Sequence, residues 1–177
     1  MTGTGAGRGD GARTAAGTGA EVDRRPVLAD GGVPAEDAAA AVAALVAELQ
    51  EGIDARDAGV YNRHFAADVL WGSPFGATVE GYARLHAIHV RLNQEQRGGP
   101  ASRYEVAGVL SPAPDVILAQ VRRVALGADG APVPPRPPGA NGSGRFSEMA
   151  LYVLVRRDGE WWLAAGQNTI VLPPPGG

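Results

Sequence analysis

Cysteine is absent from the 177 residues. That excludes disulfide staples, cysteine-ligated zinc, iron–sulfur clusters and a thiol nucleophile. It is compatible with a reducing compartment. Lysine is absent too, so all 16 basic side chains are arginine. Together with abundant alanine and glycine, this points to a GC-rich coding sequence. No basic cluster interleaved with aromatics occurs, and the formal net charge is -3. Nothing therefore marks an electrostatic footprint for nucleic acid or for an anionic membrane. No apolar run is long enough to span a bilayer. The N-terminal stretch lacks the apolar core of a secretory signal, and a cytoplasmic location is expected.

Glycine (26) and proline (14) are plentiful but concentrated. Residues 1–33 carry little apolar content beyond Val22, Val27, Leu28 and Val33. They cannot bury enough surface to offset ordering entropy and are expected to be disordered. One domain over 34–172 and a short Pro/Gly tail over 173–177 account for the rest.

Pro34 followed by Glu36 and Asp37 marks a helix start, with acids favourable in the first turn. Val42, Leu45, Val46, Leu49 and Ile53 continue it at helical spacing to about Arg56. Asp57 can cap a short second helix with Val60, Tyr61, His64 and Phe65. Val69–Trp71 reads as a short strand and Gly72–Gly76 as a turn. A third helix is expected from Val79 or Glu80 to about Gln96. Strands follow at Arg103–Leu110, Val116–Leu126, Arg145–Arg157 and Trp161–Val171. Asp158–Gly159 is a tight hairpin signal between the last two. Gly127–Gly144, with five glycines and five prolines, reads as a long loop, either a lid or disordered. Helices first and antiparallel strands after give an α+β class, with helices packed on one face of a curved sheet. Such a sheet can enclose a ligand cavity.

Histidine is the side chain suited to proton chemistry near neutral pH. Leu85, Ile88, His89, Leu92 and Tyr82 share one side of the third helix. His89 falls inside this stripe and His86 near its edge. His89 either faces a ligand or is a satisfied core histidine. A metal held by His64, His86 and His89 is conceivable, but no carboxylate stands at a telling spacing, so no metal is expected. Trp71 and Phe75 flank the loop before the third helix and either wall a pocket or fill the core. Alternation along Val116–Val124 puts Ile117, Ala119 and Val121 on one face. Gln120 and Arg122 share the other, and Gln120 is counted among the ligand contacts. In the next strand Met149, Leu151, Val153 and Val155 oppose Glu148, Ala150, Tyr152 and Leu154. Two apolar faces suit one core and one dimer interface. In the last strand Gln167 or Asn168 must point inward, to bond a ligand or a neighbour.

Several pieces, in order, carry a resemblance over about Ala38 to Val171. They are Ile53–Asp57, Phe65–Trp71, Ser73–Gly76, Val79–Gly81, the helix with His89, and Gly159–Thr169. The chain resembles the nuclear transport factor 2-like superfamily, in particular its SnoaL-like, SgcJ/EcaC-type small bacterial proteins. The resemblance implies a cone-shaped α+β roll of the cystatin-like kind, a pocket inside it and a homodimer through the sheet. Relatives include isomerases, cyclases, dehydratases and non-catalytic modules. Asp68 matches the family's aspartate before the strand, which implies a brace or a base. The oxidoreductase label common in the SgcJ/EcaC branch finds no cofactor motif here, because the glycines of Gly3–Gly11 follow no strand. The expected function is a small-molecule pocket protein that acts on an apolar or polyketide-like compound without a cofactor. His89 and Asp68 are the catalytic candidates. Trp71, Phe75, Tyr82, His86, Gln120 and Asn168 are the binding candidates. The alternative is a non-catalytic ligand-binding or dimerisation module.

Overall fold

The computed structural model describes residues 26–95, 101–135 and 145–173. The first helix, α1, spans Ala35–Ala55 behind Pro34. Ala38, Val42, Leu45, Leu49 and Gly52 form its buried stripe. The chain leaves α1 through Arg56, which is left-handed at φ 54. Gly52 is required here: a Cβ would lie 2.5 Å from the backbone of Tyr61. Its helix-weakening effect is thus offset by close packing of the next element. That element, α2, is Ala58–Tyr61. Asp57 caps it by accepting from the Gly59 and Val60 amides at 2.7 and 3.2 Å.

The strands are β1 (Phe65–Gly72), β2 (Thr78–Glu80), β3 (Ser102–Ala113), β4 (Val116–Ala125), β5 (Glu148–Arg157) and β6 (Glu160–Ile170). Helix α3, Tyr82–Glu95, lies between β2 and β3. The six strands form one sheet in the order β2-β1-β6-β5-β4-β3. Neighbours are antiparallel except β1 and β6, which run parallel. The sheet is therefore mixed, and the expectation of a wholly antiparallel one is corrected at this pair. Bulges interrupt the registers of β3 with β4 and of β5 with β6, and bulges bend a sheet. α1 and α3 cover its inner face. The fold class is α+β, as expected.

Some local readings change. Phe65 opens β1 rather than closing α2. Val79 and Glu80 pair with Trp71 and Leu70 instead of starting a helix. The Ser73 hydroxyl accepts from the Ala77 amide at 3.0 Å, and Gly76 adopts φ 85 to close the β1–β2 hairpin. Gly81, at φ 83, then redirects the chain into α3. Within the expected N-terminal tail, Leu28–Gly31 forms a turn of 3-10 helix and the Val33 amide donates to Ser111 Oγ at 3.0 Å. Residues 1–25 lie outside the described ones. In the expected long loop, Leu126 bridges Pro132 around a tight turn at Asp129–Gly130. Residues 136–144, where the lid reading also falls, lie outside the described ones. Asp158 and Gly159, both at positive φ, form the expected hairpin. Among the described residues no helix is long and apolar enough to cross a membrane.

Candidate functional site

The register stacks the inner face of the sheet in rows. Phe65, Leu163, Leu154 and Ile117 form an apolar row. Trp71, Gly166, Tyr152 and Ala119 form the next. Asn168, Ala150 and Val121 follow, then Glu148, Arg123 and Tyr104. The face thus grades from hydrocarbon at one end to charge at the other. Small residues in its middle leave a hollow. Gly166 is one cause: a Cβ there would sit 2.7 Å from the Trp71 ring, so glycine lets the indole lie flat on the sheet.

A cavity of about 600 Å³ occupies this hollow. Tyr61, Trp71, Leu85, Ile88, His89 and Leu92 line its apolar side. Tyr104, Arg123, Glu148, Tyr152 and Asn168 line its polar side. Phe75 stands edge-on to Phe146 at 5.6 Å. Both line the cavity, and Phe75 is 56% exposed, which places it at the mouth.

Asn62 follows α2 and is fully buried. Its Oδ1 lies 2.8 Å from His89 Nδ1, and its Nδ2 lies 3.0 Å from His86 Nδ1. An amide oxygen only accepts and an amide nitrogen only donates. His89 therefore carries its proton on Nδ1, and its Nε2 keeps a lone pair. His86 is the opposite tautomer. The His89 ring meets Tyr61, Trp71 and Phe65 edge-on, with centroids at 5.0, 5.7 and 6.2 Å. Burial, helped by the neighbouring His86, lowers its pKa to about 4. At neutral pH it is a neutral imidazole whose free nitrogen is the one available to a ligand.

Tyr61, beside His89, has its hydroxyl 2.9 Å from that of Tyr104. Burial pushes these phenols and that of Tyr152 above their ordinary range. All three are thus protonated donors at neutral pH. Arg123 Nε donates to Glu148 Oε2 at 2.7 Å. Burial works against the guanidinium charge, but the adjacent carboxylate outweighs it and holds Arg123 above its usual range.

His89, Trp71, Phe75 and Asn168 of the sequence candidates line this cavity. Asn168 is 7% exposed, and its Nδ2 donates to the Gly72 carbonyl at 3.0 Å. Gln167 is the outward neighbour. His86 lies outside the cavity lining, bonds Asn62 and stacks on Tyr82 with centroids 5.3 Å apart. Tyr82 does not reach the cavity lining. Asp68 is exposed on β1 and outside the cavity, because successive strand residues face opposite ways and its neighbour Val69 is the buried one. Gln120 is exposed on the outer face of β4, since its neighbours Ala119 and Val121 point inward. Its expected ligand contact and the expected base role of Asp68 do not fit these positions. His64 binds Glu48 at 2.7 Å and packs on Trp162. Among the described residues no three histidine or carboxylate groups converge to hold a metal.

Sequence reasoning missed Asn62, the three tyrosines and the Arg123–Glu148 pair. One signal was present: Glu148 alternates with inward Ala150 and Tyr152, and a carboxylate on an inward face needs a partner.

No family model matches the chain, and no curated protein matches it. Solved structures do. A domain of unknown function with a cystatin-like fold from Nostoc punctiforme aligns at TM-score 0.63 and 16% identity, over 79% of this chain and 81% of that one. An uncharacterised cystatin-like protein from Caulobacter vibrioides aligns at TM-score 0.56 and 20% identity, over 77% and 92%. An NTF-2 like protein of unknown function from Shewanella oneidensis MR-1 aligns at 0.58 and 9%, over 74% and 98%. The fold of this chain is the cystatin-like, nuclear transport factor 2-like one.

Proposed function

We propose that the cavity binds an apolar, oxygenated small molecule of polyketide-like character in the cytoplasm. His89 exchanges a proton with it, without a cofactor, in an isomerisation, cyclisation or dehydration. One observation carries this reading: Asn62 fixes the tautomer of His89, so that a free Nε2 faces a cavity large enough for a small molecule. Trp71, Ile88 and Leu92 supply apolar walls, and the protonated tyrosines of the lining can donate to a ligand oxygen. The low basicity of His89 favours a second reading, a non-catalytic binding module in which the imidazole only accepts a hydrogen bond. Both readings require an occupied cavity. Titration with planar polycyclic phenols and enones is expected to quench tryptophan fluorescence saturably, and Trp71→Phe to remove most of that signal. A full panel without quenching in the native protein would remove the basis of both.

The outer face of the sheet suits a homodimer. Leu151 is 47% exposed, beside Val153 on β5 and near Leu118 on β4, with Leu110 also exposed on β3. Apolar patches of this kind on one surface mark association sites. Leu151→Glu is expected to convert a dimer into a monomer in sedimentation experiments and to leave the fold intact. A native protein that sediments as a monomer at all concentrations would overturn this assignment.

A further inference from the structure

We propose that the ligand of this cavity is an acid, an apolar body carrying one carboxylate that Arg123 holds; the inference rests on the cavity being a ligand site. The described wall carries Arg56 and Arg123 against one carboxylate, Glu148, while Arg91 is engaged in an interaction of its own. A chain of formal net charge -3 therefore lines its cavity with an excess of positive charge. Lining of one sign concentrates ligands of the other.

Arg123 is the arginine on the cavity floor. Its place on β4 follows Val121 on the inward face, and the register sets it between Tyr104 and Glu148. Its side chain is 22% exposed. Only Nε bonds Glu148, and Nη1 and Nη2 have no hydrogen-bond partner among the described residues. Glu148 thus steadies one edge of the guanidinium and leaves the other. Half-buried charged donors without partners are costly. A carboxylate matches two adjacent guanidinium nitrogens, with charge assistance, better than a neutral carbonyl does. The nearby Tyr104 hydroxyl can add a third donor. From that anchor the ligand body extends over Val121 and Ala150 toward Trp71 and His89, where the wall is apolar or neutral. The grading of the sheet face thus dictates a ligand with one acidic end and one hydrocarbon end.

The test compares 2-anthracenecarboxylate with its methyl ester by fluorescence anisotropy on the full chain near neutral pH. The acid is expected to bind about ten- to a hundredfold more tightly than the ester. Arg123→Gln should abolish that preference, so that acid and ester bind with equal affinity. Arg123→Lys keeps the charge without the fork and should retain part of it. Equal affinity of acid and ester in the native protein would overturn the acid assignment while leaving the cavity a ligand site. Failure of both probes to bind would overturn both readings. Should circular dichroism show that Arg123→Gln does not fold, the native acid-to-ester ratio and its reduction in Arg123→Lys decide the matter.

Discussion

His89→Gln is expected to lower turnover about a hundred- to ten-thousandfold, the usual contribution of a positioned acid–base group. The substrate for this measurement is any compound that the Trp71 titration identifies and the protein converts. Glutamine keeps an N–H donor for Asn62 Oδ1, the partner that Nδ1 now meets at 2.8 Å. It offers the cavity no lone pair of comparable basicity. The stability cost should therefore stay near about 1 kcal/mol, the net worth of one hydrogen bond. If His89 is structural, the pattern reverses: stability falls by about 1–3 kcal/mol as buried partners are orphaned, and ligand affinity or turnover hardly moves. Urea denaturation and initial rates on the same preparation separate the two. Full turnover in His89→Gln would end the proton-transfer reading.

Much of this arrangement was legible in the chain because local periodicity writes it. The spacing of Val42, Leu45 and Leu49 fixes the buried stripe of α1. Alternation sorts Ile117, Ala119 and Val121 inward, and all three are buried. Asp158–Gly159 marks its own hairpin. Other features arise only from nonlocal pairing. A three-residue β2 is too short to show a period, so Val79 and Glu80 read as a helix start. The parallel pairing of β1 with β6 has no counterpart in sequence spacing. The same divide runs through the site. His89 and Trp71 stand on elements with a readable face. Asn62 follows a helix of four residues, which has no period to orient it. Tyr61, Tyr104 and Tyr152 come from three elements and meet only in the fold. Asp68 shows the converse: it lies inside β1 rather than just before a strand, and alternation beside buried Val69 puts it on the exposed face.

The unusual basicity of His89 has a consequence for stability that can be measured without any ligand. Its folded pKa is about 4, against 6.5 as the ordinary value. Between these values the unfolded chain binds the proton and the native protein does not. The sign follows: the stabilisation is fully present above pH 6.5 and is lost as pH falls toward 4. Its size is at most about 3 kcal/mol, from the span of the shift at 1.36 kcal/mol per unit. The melting temperature should then drop by roughly 5–10 °C over that interval on this account alone. Carboxylates in general titrate in the same range, so the informative quantity is a difference. The native protein and His89→Gln share all those other groups, and their stability curves should converge as the pH falls. Asn62→Asp supplies the opposite test. It places a carboxylate between the two histidines, where protonation becomes favourable. That variant should be destabilised less at acidic pH than at neutral pH. Parallel curves for the native protein and His89→Gln across the whole range would mean that the imidazole is solvated rather than held neutral among Tyr61, Phe65 and Trp71. The tautomer fixed by Asn62 would then have no hold on the chemistry of the cavity.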